Sequence, residues 1–250
     1  MSSLHDSAGV PWEGRSFSQN LFAGDSGDTP EAIARGLGAY ETGGIAALFP
    51  YLAGQRVLVP LLAEKVGSEI GPHGLEVDAQ ADMAIVAIAT PDQQSAVPVF
   101  GSVADLAAWR RDARPVPIEI ARAALGAIAE GHRRLVLNPA GQAIGLRYPM
   151  MRALATAEKW LSPEANPKVS ALVQAAVADV SAVQNWNLVA NDPQGSLQKP
   201  ELMIELTLRA GLTAEELDTT LRSLAERLQQ GEWADLVDSF GFRLLVARSR

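Results

Sequence analysis

The stretch Leu202-Met-Ile-Glu-Leu-Thr-Leu-Arg-Ala-Gly-Leu212, continued by Thr213-Ala-Glu-Glu-Leu217, changes its apolar period once, from two residues to about 3.6. Leu202, Ile204, Leu206 and Leu208 alternate with Met203, Glu205, Thr207 and Arg209, which predicts a strand with one face buried. Thr213 and Glu216 then have the spacing of a capping box, with Leu212 and Leu217 placed as the hydrophobic staple. Leu217, Leu221, Leu224 and Leu228 carry one helical face as far as Gly231. A half-buried strand that feeds an amphipathic helix is the unit of a layered α+β fold.

Working outward, Phe240, Phe242, Leu244 and Val246 alternate in a final strand. Upstream, Asn166 caps and Pro167 opens a helix whose Val169, Leu172, Val173, Ala176, Val177 and Val180 share a face. A strand over 183–190 follows, then a turn-rich loop with Asp192, Pro193 and Gly195. The order α-β-β-α-β predicts a small antiparallel sheet with helices on one face, ferredoxin-like in plan. Ser162-Pro163 and Asn166-Pro167 mark a boundary. The chain is therefore divided into an extended arm over 1–28, an N-terminal domain over 29–162 and a C-terminal α+β domain over 163–250.

In the N-terminal domain, Thr29 is expected as a helix cap with Pro30 at the first helical position. The run 57–62 reads as a buried strand that Pro60 would move to an edge or a bulge. The run 83–89 reads as a second strand covered on both faces, and the Gly-rich segment 67–81 between them as a loop. Val97-Pro98-Val99-Phe100 is a third strand. Ser102 and Asp105 cap a helix whose inner face carries Val103, Leu106 and Trp109. Pro115 and Pro117 close a connection into a helix over 118–130 that Gly131 stops. Residues 135–137 and 144–146 form a hairpin around Asn138-Pro139-Ala140-Gly141, followed by a helix over 149–160.

Composition narrows the chemistry. The 250 residues are 48% apolar, contain no cysteine and carry a net charge of −8. Thiolate nucleophiles, disulfides and Cys-ligated metal are thereby removed, and generic nucleic-acid or anionic-membrane binding is disfavoured. Acidic residues exceed basic ones before residue 55 and after residue 160 and balance them between, so steering of a basic partner is the use this charge best suits. The first 20 residues have no continuous apolar run, and a cytoplasmic address is expected. His5, His73 and His132 show no metal-ligand spacing, and no nucleophile elbow or phosphate loop occurs. Asp25 and Asp28 flank a turn where a divalent cation is conceivable, without the spacing of a calcium loop. Arg110, Arg111, Arg114, Arg133 and Arg134 suit a phosphate grip or, more commonly, a solvated face.

Val97-Pro98-Val99-Phe100-Gly101-Ser102 with Leu106 and Trp109, Pro115-Val116-Pro117, and Leu137-Asn138-Pro139-Ala140-Gly141 together resemble the SseB family. The opening Asp6-Ser7-Ala8-Gly9-Val10-Pro11-Trp12-Glu13-Gly14-Arg15 is similar to the arm of its actinobacterial members. The resemblance implies an SseB-type N-terminal α/β domain, a small C-terminal domain, and no catalytic residues or cofactor to carry over. The expectation is a non-catalytic interaction or regulatory protein whose partner is another protein or its own second subunit, with no nucleic acid or membrane. Trp12, Arg15, Phe17 and Phe22 of the arm, expected to occupy a groove either on its own domain or on a partner or second subunit, are with Phe100 and Asn138 the candidate contact residues. The alternative is a protein responsive to a small amino acid or phosphometabolite, or an enzyme on serine-related metabolites, using a pocket lined by Phe100, Asn138 and nearby arginines.

Overall fold

The computed structural model describes residues 22, 24–63 and 83–246. The predicted loop over 67–81 and most of the predicted arm lie outside the described residues. The described chain opens with helix α1 (Glu31–Leu48), strands β1 (Arg56–Ala63), β2 (Met83–Ile85), β3 (Ile88–Ala89) and β4 (Ser95–Val99), and helix α2 (Val103–Trp109). Strand β5 (Arg114–Glu119), helix α3 (Ile120–Ala129), strands β6 (Arg134–Leu137) and β7 (Ile144–Arg147), and helix α4 (Tyr148–Thr156) follow. Two sheets result, in the orders β2-β1-β5 and β3-β4-β6-β7, linked by a single bridge between Leu58 and Phe100.

Prolines account for several of the departures from the sequence reading. Pro60 lies inside β1, the central strand of its sheet, rather than at an edge. Leu58 exchanges both of its backbone hydrogen bonds with Phe100, each at 2.9 Å, so its polar groups face away from β5. Pro60, two residues on, faces the same way, into the gap between that bridge and β2, where no ladder donor is required. Opposite them, Pro115 and Pro117 turn their missing N–H groups to the outer edge of β5. The segment expected to be a connection is thus an edge strand protected by its own prolines. Helix α3 starts at Ile120 because Ile118 and Glu119 still pair with β1.

The run 83–89 is not one strand covered on both faces. It splits into β2, antiparallel to β1, and β3, antiparallel to β4, and Ala87 and Ala89 are exposed. An Ala-rich run carries no alternation to fix a register, and a methyl group loses little by facing water. Pro30 is the cap residue of α1 rather than its first residue, and Thr29 makes no side-chain cap. Val103 is 41% exposed and packs under Gly27, outside the cluster in which Leu106 and Trp109 meet Phe100. Helix α4 ends four residues before Trp160, because Ala157 takes a left-handed φ of 55° and Glu158 N–H returns to the Ala153 carbonyl at 2.9 Å.

Ser102 caps α2 as expected, its hydroxyl accepting from Asp105 N–H at 3.0 Å. Gly131 ends α3 with a φ of 84°, where the N–H groups of Gly131 and His132 return to the carbonyls of Ile128 and Ala127. Ile33, Leu48, Val57, Val99, Leu135, Ile144 and Met151 are among the side chains of the first core.

A second core belongs to helix α5 (Pro167–Val177), strands β8 (Val183–Ala190) and β9 (Leu202–Leu208), helices α6 (Ala214–Leu228) and α7 (Trp233–Leu236), and strand β10 (Phe240–Val246). In β9 the residues alternate buried and half-buried, as the sequence predicts. The expected antiparallel sheet is mixed: β8 and β9 are antiparallel, but β9 and β10 are parallel, because α6 and α7 carry the chain back to the starting end. The protein is α+β, and no described helix is long and apolar enough to cross a membrane.

Candidate functional site

The hairpin of β6 and β7 puts Arg134 directly opposite Arg147, both at the strand ends beside the second core. Two like charges in cross-strand register repel, so each guanidinium needs carboxylates from elsewhere. Asp238, between α7 and β10, supplies both. Its Oδ1 and Oδ2 accept from Arg134 Nη1 and Nη2 at 2.7 Å each, and Oδ2 also accepts from Arg147 Nη1 at 3.1 Å. Asp92 accepts from Arg134 Nε at 3.0 Å. Arg147 Nη2 donates to Asp192 Oδ2 at 2.5 Å and to the Lys199 carbonyl at 2.8 Å. The side chains of Arg147 and Asp238 are each only 2% exposed, which makes this a buried network rather than a surface one.

The segment 191–201 between β8 and β9 is built around Asp192. Its Oδ1 accepts from Ser196 N–H at 2.9 Å and from the Ser196 hydroxyl at 2.6 Å, and its Oδ2 from Leu197 N–H at 2.9 Å. Burial pushes this carboxyl up, but the bonds from Ser196, Arg147 and Leu197 outweigh burial and hold it below the usual carboxylate range. So shaped, the loop docks on the first half of the chain. Helix α1 is broken at Gly44, which has φ 63° and ψ −156°, and the next N–H, that of Ile45, donates to the Pro193 carbonyl at 2.8 Å. Tyr40 donates its hydroxyl to the Gln194 carbonyl at 2.8 Å, and Gly145 N–H donates to the Gly195 carbonyl at 2.8 Å. Leu197 packs with Ala96 and Val136 on the four-stranded sheet.

Where these parts meet there is a cavity of about 80 Å³, walled by Gly43 and Ala46 of α1, Met150 of α4, and Trp160, Asp192 and Glu201. Glu201 is 6% exposed. Its Oε2 accepts from Asp238 N–H at 2.9 Å, while Oε1 has no partner among the described residues. Burial raises the Glu201 carboxyl to about 7, against the opposing pull of the Asp238 N–H and Arg147. Trp160 packs on Phe49 with ring centroids 5.1 Å apart, and its buried Nε1–H also lacks a partner among the described residues.

Of the residues singled out from sequence, the described ones do not line this cavity. Trp12, Arg15 and Phe17 lie outside the described residues. Phe22 is half-buried and borders a shallow depression with Asp25, Asp28 and Arg56. The cation met by that aspartate pair is Arg56, whose Nε lies 2.7 Å from Asp25 Oδ2 and which donates to the Asp28 carbonyl. Phe100 is fully buried against Leu58, Leu106 and Trp109. Asn138 occupies a left-handed φ of 50°, and its Oδ1 accepts from Gly101 N–H at 3.0 Å, joining the β4–α2 turn to the hairpin. Phe100 and Asn138 therefore have structural employment, and neither lines the seam cavity.

The arginine cluster also disperses. Arg110 pairs with Asp112, Arg133 lies over the Tyr148 ring at 4.1 Å, and Arg134 enters the seam. His132 shares a 2.9 Å hydrogen bond with the Ser95 hydroxyl. Sequence reasoning missed Arg147, Asp192, Glu201 and Asp238. Their one visible signal is position: Arg134 and Arg147 bound the two apolar hairpin runs, where a surface strand would alternate polar residues throughout.

Residues 36–152 match the family model described as SseB protein N-terminal domain, the stretch that runs from α1 to α4. The comparisons with curated proteins and with solved structures returned no match. The hairpin that carries Arg134 and Arg147 lies inside the matched stretch, whereas Asp192, Glu201 and Asp238 lie beyond it. Over residues 36–152, therefore, the chain contains an SseB protein N-terminal domain.

Proposed function

We propose that the protein is a non-catalytic interaction and regulatory protein of the cytoplasm, which binds another protein or a second copy of itself through its N-terminal arm. One observation carries this reading: the two buried arginines of the seam are each paired with carboxylates of the same network. Arg134 and Arg147 face Asp92, Asp192 and Asp238, each of these charges is met by an opposite charge, and the neighbouring Ser196 and Ser239 hydroxyls are engaged in the same hydrogen-bond network. Such a network fixes shape, and catalysis instead needs a base or acid held near an unengaged reacting group.

The base of the arm supports the second half of the proposal. Val103 N–H donates to the Gly27 carbonyl at 2.8 Å, and Arg56 grips Asp25, so the chain leaves the N-terminal core from a fastened point. A fastened base reduces the conformational freedom an arm loses on docking. Trp12, Phe17 and Phe22 supply aromatic anchors and Arg15 a forked donor. The test is isolation of the full-length chain from its own cells at native abundance, beside a chain lacking residues 1–20. A companion protein or second subunit that is lost with the arm is the expected result. Recovery of the full-length chain as a lone monomer, or turnover of any metabolite that one substitution at Glu201 abolishes, would overturn the proposal.

A further inference from the structure

A second, open depression of about 450 Å³ borders the buried arginines of the seam. The charged residues that line it are Arg133, Arg134, Arg147, Lys199, Asp92 and Asp238. Both aspartates are spent within the network: Asp238 on Arg134 and Arg147, and Asp92 on Arg134 and the Thr90 hydroxyl. Asp192 and Glu201 line the smaller cavity and not this one. Two cations remain. Arg133 and Lys199 are exposed, and neither is paired with a carboxylate among the described residues. Arg133 lies over the Tyr148 ring at 4.1 Å, a contact that uses the face of the guanidinium and leaves its N–H groups without an acceptor among the described residues.

The buried network fixes where these two cations are rooted. Arg134 Nη1 donates to the Arg133 carbonyl at 2.7 Å, and Arg147 Nη2 donates to the Lys199 carbonyl at 2.8 Å. A third donor lines the same depression. The Ser239 hydroxyl oxygen accepts from Arg147 Nη1 at 3.1 Å and from Glu201 N–H at 3.0 Å, so its own hydrogen is left to donate and meets no acceptor among the described residues. Two uncompensated positive charges and a hydroxyl donor on one concave surface call for an anion of about two charges with several acceptor oxygens. A phosphate monoester carries about −1.5 to −2 at pH 7 and three such oxygens, and it suits both a guanidinium fork and an ammonium. The volume falls in the range of roughly 300–1,000 Å³ usual for small-molecule sites, and exposed Pro200 and Gln198 offer a wall to a short organic remainder. We propose that this depression is a binding site for a small phosphate monoester, its phosphoryl group held by Arg133, Lys199 and the Ser239 hydroxyl. The site goes beyond the arm-mediated reading above and does not depend on it.

Glycerol 2-phosphate and inorganic phosphate are the probes, and the backbone amide resonances of the full-length protein at fixed ionic strength are the readout. Glycerol 2-phosphate is expected to shift the amides of Arg133, Lys199 and Ser239 saturably, with a Kd of roughly 0.1–10 mM, and inorganic phosphate to bind no more tightly. Arg133→Gln and Lys199→Gln, both at exposed positions, are each expected to weaken binding about fivefold or more. Lys159→Gln removes the same charge from an exposed lysine outside the depression and is expected to leave the Kd within about twofold. No saturable shift up to about 50 mM ester would overturn the proposal, as would a wild-type Kd in either depression variant or an equal loss in Lys159→Gln. Tighter binding of inorganic phosphate than of the ester would overturn the assignment to an ester and leave a site for the free ion.

Discussion

At the scale of single residues, the seam separates charges that matter from charges that do not. Asp238 serves Arg134 through both oxygens and Arg147 through one, with all three side chains no more than 6% exposed. Asp238→Asn is expected to leave two guanidiniums undercompensated and to destabilise the protein by about 3–5 kcal/mol in urea unfolding. Removing the exposed Arg222–Asp218 pair by Arg222→Ala is expected to change stability by less than about 1 kcal/mol in the same assay. Glycines divide in the same way. A Cβ on Gly44 would lie 2.2 Å from the Pro193 carbonyl oxygen, and the residue already has a positive φ, so neither the backbone nor the neighbour can yield. Gly131 has a positive φ but open space around it. Gly44→Ala is accordingly expected to cost more than Gly131→Ala, about 3 against about 1 kcal/mol, with hydrogen exchange in 191–201 accelerated only in the first.

At the scale of elements, local rules account for the C-terminal helices and strands more fully than for the N-terminal ones. Helix α6 is held at its start by Thr213, whose side chain accepts from Glu216 N–H at 3.2 Å while Glu216 Oε2 accepts from Thr213 N–H at 2.8 Å. Its remaining stability comes from Leu224 and Leu228 in the second core. Thr213→Ala is expected to remove about 1 kcal/mol, seen as faster amide exchange in the first turn of α6 with the β9 amides unchanged. Strand β5 shows the opposite case. Its prolines read locally as a break, yet the parity of the ladder places each missing donor where no bond was needed.

At the scale of the whole molecule, the seam makes stability depend on pH in two opposed ways. Glu201 is raised from 4.5 in the unfolded chain to about 7 in the native one, so between these values the folded state binds the extra proton. Its contribution is complete below about 4.5 and is lost as pH rises through 7, a change of about 3 kcal/mol. Asp92 and Asp192 are held below their usual range, so their contribution is present above about 4 and is lost on acidification. The melting temperature is therefore expected to peak near pH 5 and to decline toward pH 8. Glu201→Gln is expected to flatten the decline on the alkaline side while preserving the acid limb. A wild-type melting temperature that rises from pH 5 to 8 would contradict the assignment of Glu201.

What the sequence determined by itself was whatever is encoded within about one turn or one strand. The alternation of β9, the Thr213–Glu216 box, the Ser102 and Asn166 caps, the Gly131 stop and the Asn138 turn were all legible, because each is a contact between near neighbours. The residues that carry the SseB resemblance were legible too, and residues 36–152 match that family. Only the tertiary structure decided the parallel β9–β10 pairing, the strand at 114–119, and the union of Arg134 and Arg147 with Asp192, Glu201 and Asp238. Arg134 and Asp238 are 104 residues apart, and Arg147 and Asp192 are 45 apart. A charged side chain in a sequence reads as solvated until the fold removes the water around it, and the partner that then compensates it can come from anywhere along the chain.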